Sequence, residues 1–154
     1  MTLASPPATA EMQAIIDRHL GLEGPLLPMF HALQAEYGHV PATALPLLAA
    51  TLNVTVAEVH GVKSFYHDFR DQPAGRRVLK ICRAEACQAM GANVMSAAVL
   101  DRLGIDWHGT TPDGGVTVEP VFCLGLCACA PAAMVDGRVM GRVDADRLLA
   151  EVSV

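Results

Sequence analysis

Residues 78–87 read Val-Leu-Lys-Ile-Cys-Arg-Ala-Glu-Ala-Cys, and residues 116–127 read Val-Thr-Val-Glu-Pro-Val-Phe-Cys-Leu-Gly-Leu-Cys. Each stretch opens with a short aliphatic, β-branched run that suits a buried strand. Each then delivers a cysteine at or just beyond the strand's end, and a second cysteine follows after a gap of four or three residues. Two such pairs, Cys82 with Cys87 and Cys123 with Cys127, can converge on one point if the strands lie side by side. Four soft, anionic thiolates are the donor set of a 2Fe-2S cluster, two cysteines to each iron. Gly125 lets the backbone approach that point and turn amide N–H groups toward sulfur, and Gly91 offers similar freedom after Cys87.

Outward from these loops, the pattern predicts a helix over Ala89–Leu103 closed by Gly104, a loop over Trp107–Gly115 and a strand over Val116–Phe122. Asp136-Gly137 is a tight-turn dipeptide between the short runs 133–135 and 138–140. Asp144 can cap a terminal helix carrying Leu148, Leu149 and Val152. Strand, helix, strand, hairpin and helix make a compact α/β sandwich.

Upstream the character is helical. Met12, Ile15, Ile16, His19 and Leu20 recur at helical spacing, ending near Gly21; Leu26, Phe30, Leu33 and Tyr37 form a second stripe between Pro25 and Gly38. Leu45, Leu48 and Leu52 form a third. Thr55 and Glu58 make a capping box opening a fourth helix, whose buried face is expected to be Val59, Val62, Tyr66 and Phe69. Ser5-Pro6-Pro7 reads as a mobile tail, and Asp71–Gly75 as a linker.

With 52% hydrophobic residues in 154, the chain can bury a full core. A net charge of -5 and no basic block argue against nucleic acid as a partner. The longest uncharged stretches, 41–57 and 120–135, are shorter than a membrane helix and contain prolines. Residues 1–10 lack the basic and apolar parts of a secretory signal, so the expected location is the cytoplasm. Five cysteines outside a secretory context point to metal or redox chemistry rather than a disulfide framework.

Competing cysteine chemistries differ in spacing. Zinc accepts four thiolates but favours C-x2-C pairs, leaving a zinc-stabilised interaction module as the alternative. A thiol–disulfide enzyme wants C-x-x-C, which does not occur. A plant-type ferredoxin needs cysteine where Met90 stands, and a Rieske centre needs histidine where Ala84 and Gly125 stand. Cys129 shares the loop of Cys127 and could replace it, but reads as a small packing residue. The six histidines have no short spacing to a cysteine pair. Arg83 and Glu85 could tune the site or meet a partner, though solvated loop charges account for both. No nucleotide-binding loop and no nucleophile elbow occurs around Ser64, so no catalytic residue is assigned.

Cys82-Arg-Ala-Glu-Ala-Cys87 and Cys123-Leu-Gly-Leu-Cys127-Ala-Cys-Ala-Pro131 resemble the thioredoxin-like 2Fe-2S ferredoxin family, which includes the small iron-sulfur subunit of respiratory complex I. The likeness extends back through Gly38-His-Val-Pro41 and the stretch from Glu58 to Tyr66. Within the family, the first cysteine loop and Ala-Ala-Met-Val-Asp-Gly at 132–137 most resemble the gamma subunit of molybdenum-dependent, NAD-linked formate dehydrogenase, with NAD-reducing hydrogenase and NADH:quinone oxidoreductase subunits as close relatives.

The resemblance implies an α+β chain with a tail over 1–10, a helical bundle over 11–72 and a thioredoxin-like cluster domain over 76–154. Carried over residue by residue, it places one 2Fe-2S cluster on Cys82, Cys87, Cys123 and Cys127. It further implies a non-catalytic electron-transfer subunit docked beside a flavin- and NAD-binding subunit and, through it, a larger molybdenum-containing subunit. A homodimer of the isolated chain is the alternative assembly.

Overall fold

The computed structural model describes residues 8–153. The Ser5-Pro6-Pro7 stretch lies outside them, whereas Thr9 and Ala10, expected in the tail, already form the first turn of a helix. The chain divides into two compact units between Pro73 and Ala74.

The first unit holds four helices: α1 (Thr9–Asp17), α2 (Leu26–Tyr37), α3 (Ala44–Leu52) and α4 (Val56–Phe65). Their apolar stripes meet in a core that includes Met12, Ile16, Phe30, Leu33, Leu48 and Val59. Gly38 ends α2 at φ +74°, a left-handed conformation that glycine adopts without strain. α1 stops short of Gly21 because the bonds from His19 N–H to Ile16 O (3.0 Å) and from Leu20 N–H to Asp17 O (3.3 Å) tighten the chain into turns, leaving Leu20 exposed.

The face expected for α4 also needs correction. Tyr66 takes an extended conformation that ends the helix and is exposed; Phe69 reaches the core from the following turn instead. The buried partner of Val59 on α4 is Lys63, whose ammonium pairs with Asp71. Among the described residues no single helix is long and apolar enough to cross a membrane.

The second unit is a four-stranded sheet with helices. Its strands are β1 (Arg77–Cys82), β2 (Val116–Val121), β3 (Ala132–Val135) and β4 (Arg138–Gly141), in the order β2-β1-β3-β4. β1 and β2 run parallel, in register from Arg77 with Val116 to Cys82 with Val121. β3 runs antiparallel to β1, and β4 returns from it through Asp136-Gly137, both at positive φ as a type I′ turn requires. Between β1 and β2 the single helix expected over 89–103 is two: α5 (Glu85–Ala89), which carries Cys87, and α6 (Ala92–Leu103). Gly91, at φ +90°, breaks them.

α6 packs on β1 and on α7 (Ala145–Val152), which Asp144 caps by accepting the Arg147 N–H at 2.8 Å. Leu79, Ile81, Val99, Val118, Ala133 and Leu148 form the centre of this core. Lys80 and Glu119 face each other across the parallel pair at 3.5 Å, a charged contact within the sheet.

The capping box of α4 forms as expected: Thr55 Oγ1 accepts the Glu58 N–H at 3.2 Å and the Thr55 N–H donates to the Glu58 carboxylate at 2.8 Å. The Thr55 backbone bond first, and its side-chain bond second, hold the Glu58 carboxyl below the ordinary carboxylate range. A depressed folded-state pKa gives a contribution complete above the unfolded value of about 4.3 and lost as pH falls through the folded value. Thr55→Ala should cost about 1 kcal/mol at neutral pH, the usual loss for an N-cap threonine. The gap to wild type should narrow below about pH 4, as urea unfolding at a series of pH values would show.

Candidate metal centre

Parallel pairing of β1 and β2 puts their C-terminal ends together, so Cys82, the last residue of β1, lies beside Val121, and Cys123 follows two residues on. The Arg83 N–H donates to Val121 O at 2.8 Å and fixes the departure of the first loop. Because β3 is antiparallel to β1, its first residue, Ala132, returns to the same end. The four expected ligands therefore come from the last residue of β1, the short helix after it and the segment after β2, at one end of one sheet.

They are arranged as two pairs. Cys82 and Cys87 are buried, each about 2% exposed, and each influences the other's thiol. Cys123 and Cys127 are exposed, with sulfurs 3.8 Å apart. Two sulfurs each about 2.3 Å from one tetrahedral metal stand about 3.8 Å apart, so the outer pair already has the separation of two ligands on one ion. Among the described residues no three His, Cys, Asp or Glu side chains close on a single point as a mononuclear ion requires. The donor set fits a binuclear group held by pairs.

Main-chain amides are aimed at these sulfurs. Gly125 N–H donates to Cys123 Sγ at 3.4 Å, with Gly125 at φ +77°, the role its sequence position suggested. Burial pushes the Cys82 thiol up, but the Ala84, Cys123 and Leu124 amides and the Cys87 thiol outweigh it and bring Cys82 below the ordinary thiol value. Burial, then the neighbouring Cys82 sulfur, raises Cys87, which the Ala132 amide partly offsets. Cys127 is raised chiefly by its bond with Cys123. Cys87 responds to Cys127, and Cys127 to Cys82, so the pairs share one electrostatic neighbourhood. Gly91 takes no part, since its amide bonds Gln88 O.

Cys127 and Cys129 bracket a single 3-10 turn, with Cys129 partly buried. Arg83 turns its guanidinium over the Trp107 ring, 5.1 Å from its centre, tying the first cysteine loop to the loop before β2. Glu85 opens α5 and is exposed. His19, His39 and His67 place Nδ1 against main-chain carbonyls, and His31 packs edge-on to Phe69. Sequence reasoning missed Ala132, whose part follows only from β3 returning to the site. It also missed two exposed apolar side chains, Phe122 at 74%, next to Cys123 in the chain, and Met90 at 62%, which follows α5.

In cluster-free protein, the exposure difference predicts that iodoacetamide alkylates Cys123 and Cys127 well before Cys82 and Cys87. Peptide mass spectrometry over a time course would measure the order.

The family model for thioredoxin-like 2Fe-2S ferredoxin matches residues 12–153. HndA, a component of the NADP-reducing hydrogenase of Solidesulfovibrio fructosivorans, is 34% identical over 137 residues, covering 89% of this chain and 80% of HndA. A component of the NADH-quinone oxidoreductase of Escherichia coli is 34% identical over 132 residues, covering 84% of this chain and 80% of that relative. In a crystal structure of air-oxidized NAD+-reducing NiFe-hydrogenase, one chain superimposes with a TM-score of 0.68 at 27% identity. That match covers 83% of this chain and 22% of the hydrogenase chain.

Proposed function

The chain belongs to the thioredoxin-like 2Fe-2S ferredoxin family, whose members carry one 2Fe-2S cluster, and on that premise we propose that Cys82, Cys87, Cys123 and Cys127 hold it. The observation that carries this reading is the convergence of both cysteine pairs, with backbone amides directed at their sulfurs, on one edge of the sheet. The chain is an electron-transfer subunit of an NAD-linked oxidoreductase, with no substrate chemistry of its own.

The bound cluster supplies storage for one electron at a time. The chain's residues do the rest. Amides of Ala84, Leu124, Gly125 and Ala132 stabilise negative charge on the sulfurs without a mobile proton. Burial of Cys82 and Cys87 excludes water from the inner side, while Cys123 and Cys127 face outward beside Phe122. Electrons enter and leave through that outer side, where an exposed aromatic ring can pack on a partner.

We assign the partner as a flavin- and NAD-binding subunit joined to a larger molybdenum-containing subunit, a complex of the formate dehydrogenase type. The support is the likeness of the Cys82–Cys87 loop and of residues 132–137 to that enzyme's gamma subunit. Five cysteines without a disulfide suit a reducing compartment, and the proposed location is the cytoplasm. Purification of the native complex decides among assemblies. Molybdenum and a flavoprotein co-eluting with this chain support the assignment. A NiFe-hydrogenase, a quinone-linked complex or a lone homodimer overturns it.

Anaerobically prepared protein should contain two irons and two sulfides per chain and give a rhombic EPR signal on reduction with dithionite. Serine at any of the four ligand positions should abolish or alter that signal, whereas Cys129→Ser should keep it. One zinc per chain, or an unchanged spectrum in Cys127→Ser, would overturn the ligand assignment.

A further inference from the structure

We propose that Gly141 and Arg142, at the end of β4, are positioning residues that form the seat for the turn carrying Cys127. The proposal rests on Cys127 being a cluster ligand. The turn is short, spanning Cys127–Cys129, and closes on itself through the Cys129 N–H to Leu126 O bond at 2.8 Å. Leu126 and Ala130 on its flanks pack with the core of this unit, and its backbone bonds to the sheet come from the end of β4. The Arg142 N–H donates to Cys129 O at 2.6 Å, and the Val143 N–H donates to Pro131 O at 3.1 Å.

Contact at Gly141 is closer still. A β-carbon there would lie 2.7 Å from Cys129 Cβ and 2.8 Å from Cys129 O, nearer than non-bonded carbon atoms approach. Gly141 is not at positive φ, so its requirement is space rather than backbone freedom. One of the two close atoms is main chain, so a larger residue cannot be relieved by a rotamer change and must move the turn itself.

Arg142 stands at φ +50°, in the left-handed region that non-glycine residues seldom occupy. That conformation persists where the surroundings impose it, and here it accompanies an amide aimed at Cys129 O. The carbonyls of the same two residues are held from the other side. Arg147, on the first turn of α7, donates to Gly141 O at 3.2 Å and to Arg142 O at 3.4 Å, while its own N–H is bound by the Asp144 cap. A path of contacts therefore runs from α7 through the end of β4 to Cys129 and, within the same turn, to Cys127. The 3.8 Å separation of Cys123 and Cys127 depends on where that turn rests.

The test compares Gly141→Ala with wild type and with Gly137→Ala, all as cluster-loaded full chains. Gly137 lies in the hairpin turn at φ +84° with open space around it, so alanine there strains the backbone without touching the turn. Gly141→Ala should shift the EPR g-values of the reduced protein and speed iron loss to a chelator about tenfold. At fixed poise it should change the reduced-to-oxidised ratio by about threefold, equal to about 28 mV for one electron. Gly137→Ala should lose stability but keep the wild-type g-values and potential. Adding Cys129→Gly removes the nearer clash and should restore part of the Gly141→Ala shift. If Gly141→Ala does not fold, Arg147→Ala at the surface should still speed chelator loss several-fold. Wild-type g-values, potential and iron retention in Gly141→Ala, or in Arg147→Ala where only that variant folds, would overturn the seat. An unchanged spectrum in Cys127→Ser would instead overturn the ligand assignment on which it rests.

Discussion

The parallel pairing of β1 with β2 is the constraint on which the site depends. A parallel neighbour requires a crossover, here α5 and α6, and in return delivers two C-terminal ends to one edge of the sheet. Cysteines at or just past those ends then meet without any long-range fitting of side chains. The register from Arg77 with Val116 to Cys82 with Val121 is specific, since a slip of one residue would turn Cys82 to the other face. The antiparallel hairpin adds the third side, because β3 must start, and β4 must finish, at that same edge.

With the geometry set by strands, the electrostatics fall to loops. Short loops after strands leave amides without ladder partners, and such amides are available to anions. Here they meet sulfur: three act on Cys82, one on Cys87 and one on Cys123. Backbone donors do not titrate, so the donor side of these contacts is the same at every pH. Side-chain cations play little part, and the one arginine in the first loop is turned away onto Trp107.

Much of this was legible in the sequence because the decisive signals are local. Strand runs ending on cysteines, Asp136-Gly137, the Thr55–Glu58 box, Gly38 and Asp144 each act within a few residues, and each formed as read. What was not legible depends on contacts distant in sequence. Lys80 and Glu119 belong to a charged pair only because the strands are neighbours, and Lys63 is buried only because Asp71 comes back to it. The break between α5 and α6 was missed because Gly91 within an otherwise helical stretch reads equally as a tolerated glycine or a boundary. Tyr66 followed the helical period on paper, but the helix had already ended.

The two cysteine pairs are held by different means, and the difference follows from chain connectivity. Cys82 lies within a central strand and Cys87 on the short helix that follows, so both are fixed by sheet hydrogen bonds and core packing and are buried. Cys123 and Cys127 lie in a loop from an edge strand, with Cys123 itself at φ +88°, held by local turns, by Leu124 and Leu126 packing on the core, and by the end of β4. The loop turns sharply through Gly125, whose φ of +77° rather than any crowding calls for glycine, and through the 3-10 turn, leaving both sulfurs at the surface. Rigidity on the inner side and exposure on the outer side thus arise from the same topology. An edge strand supplies the pair that partners can reach, and a central strand supplies the pair that they cannot.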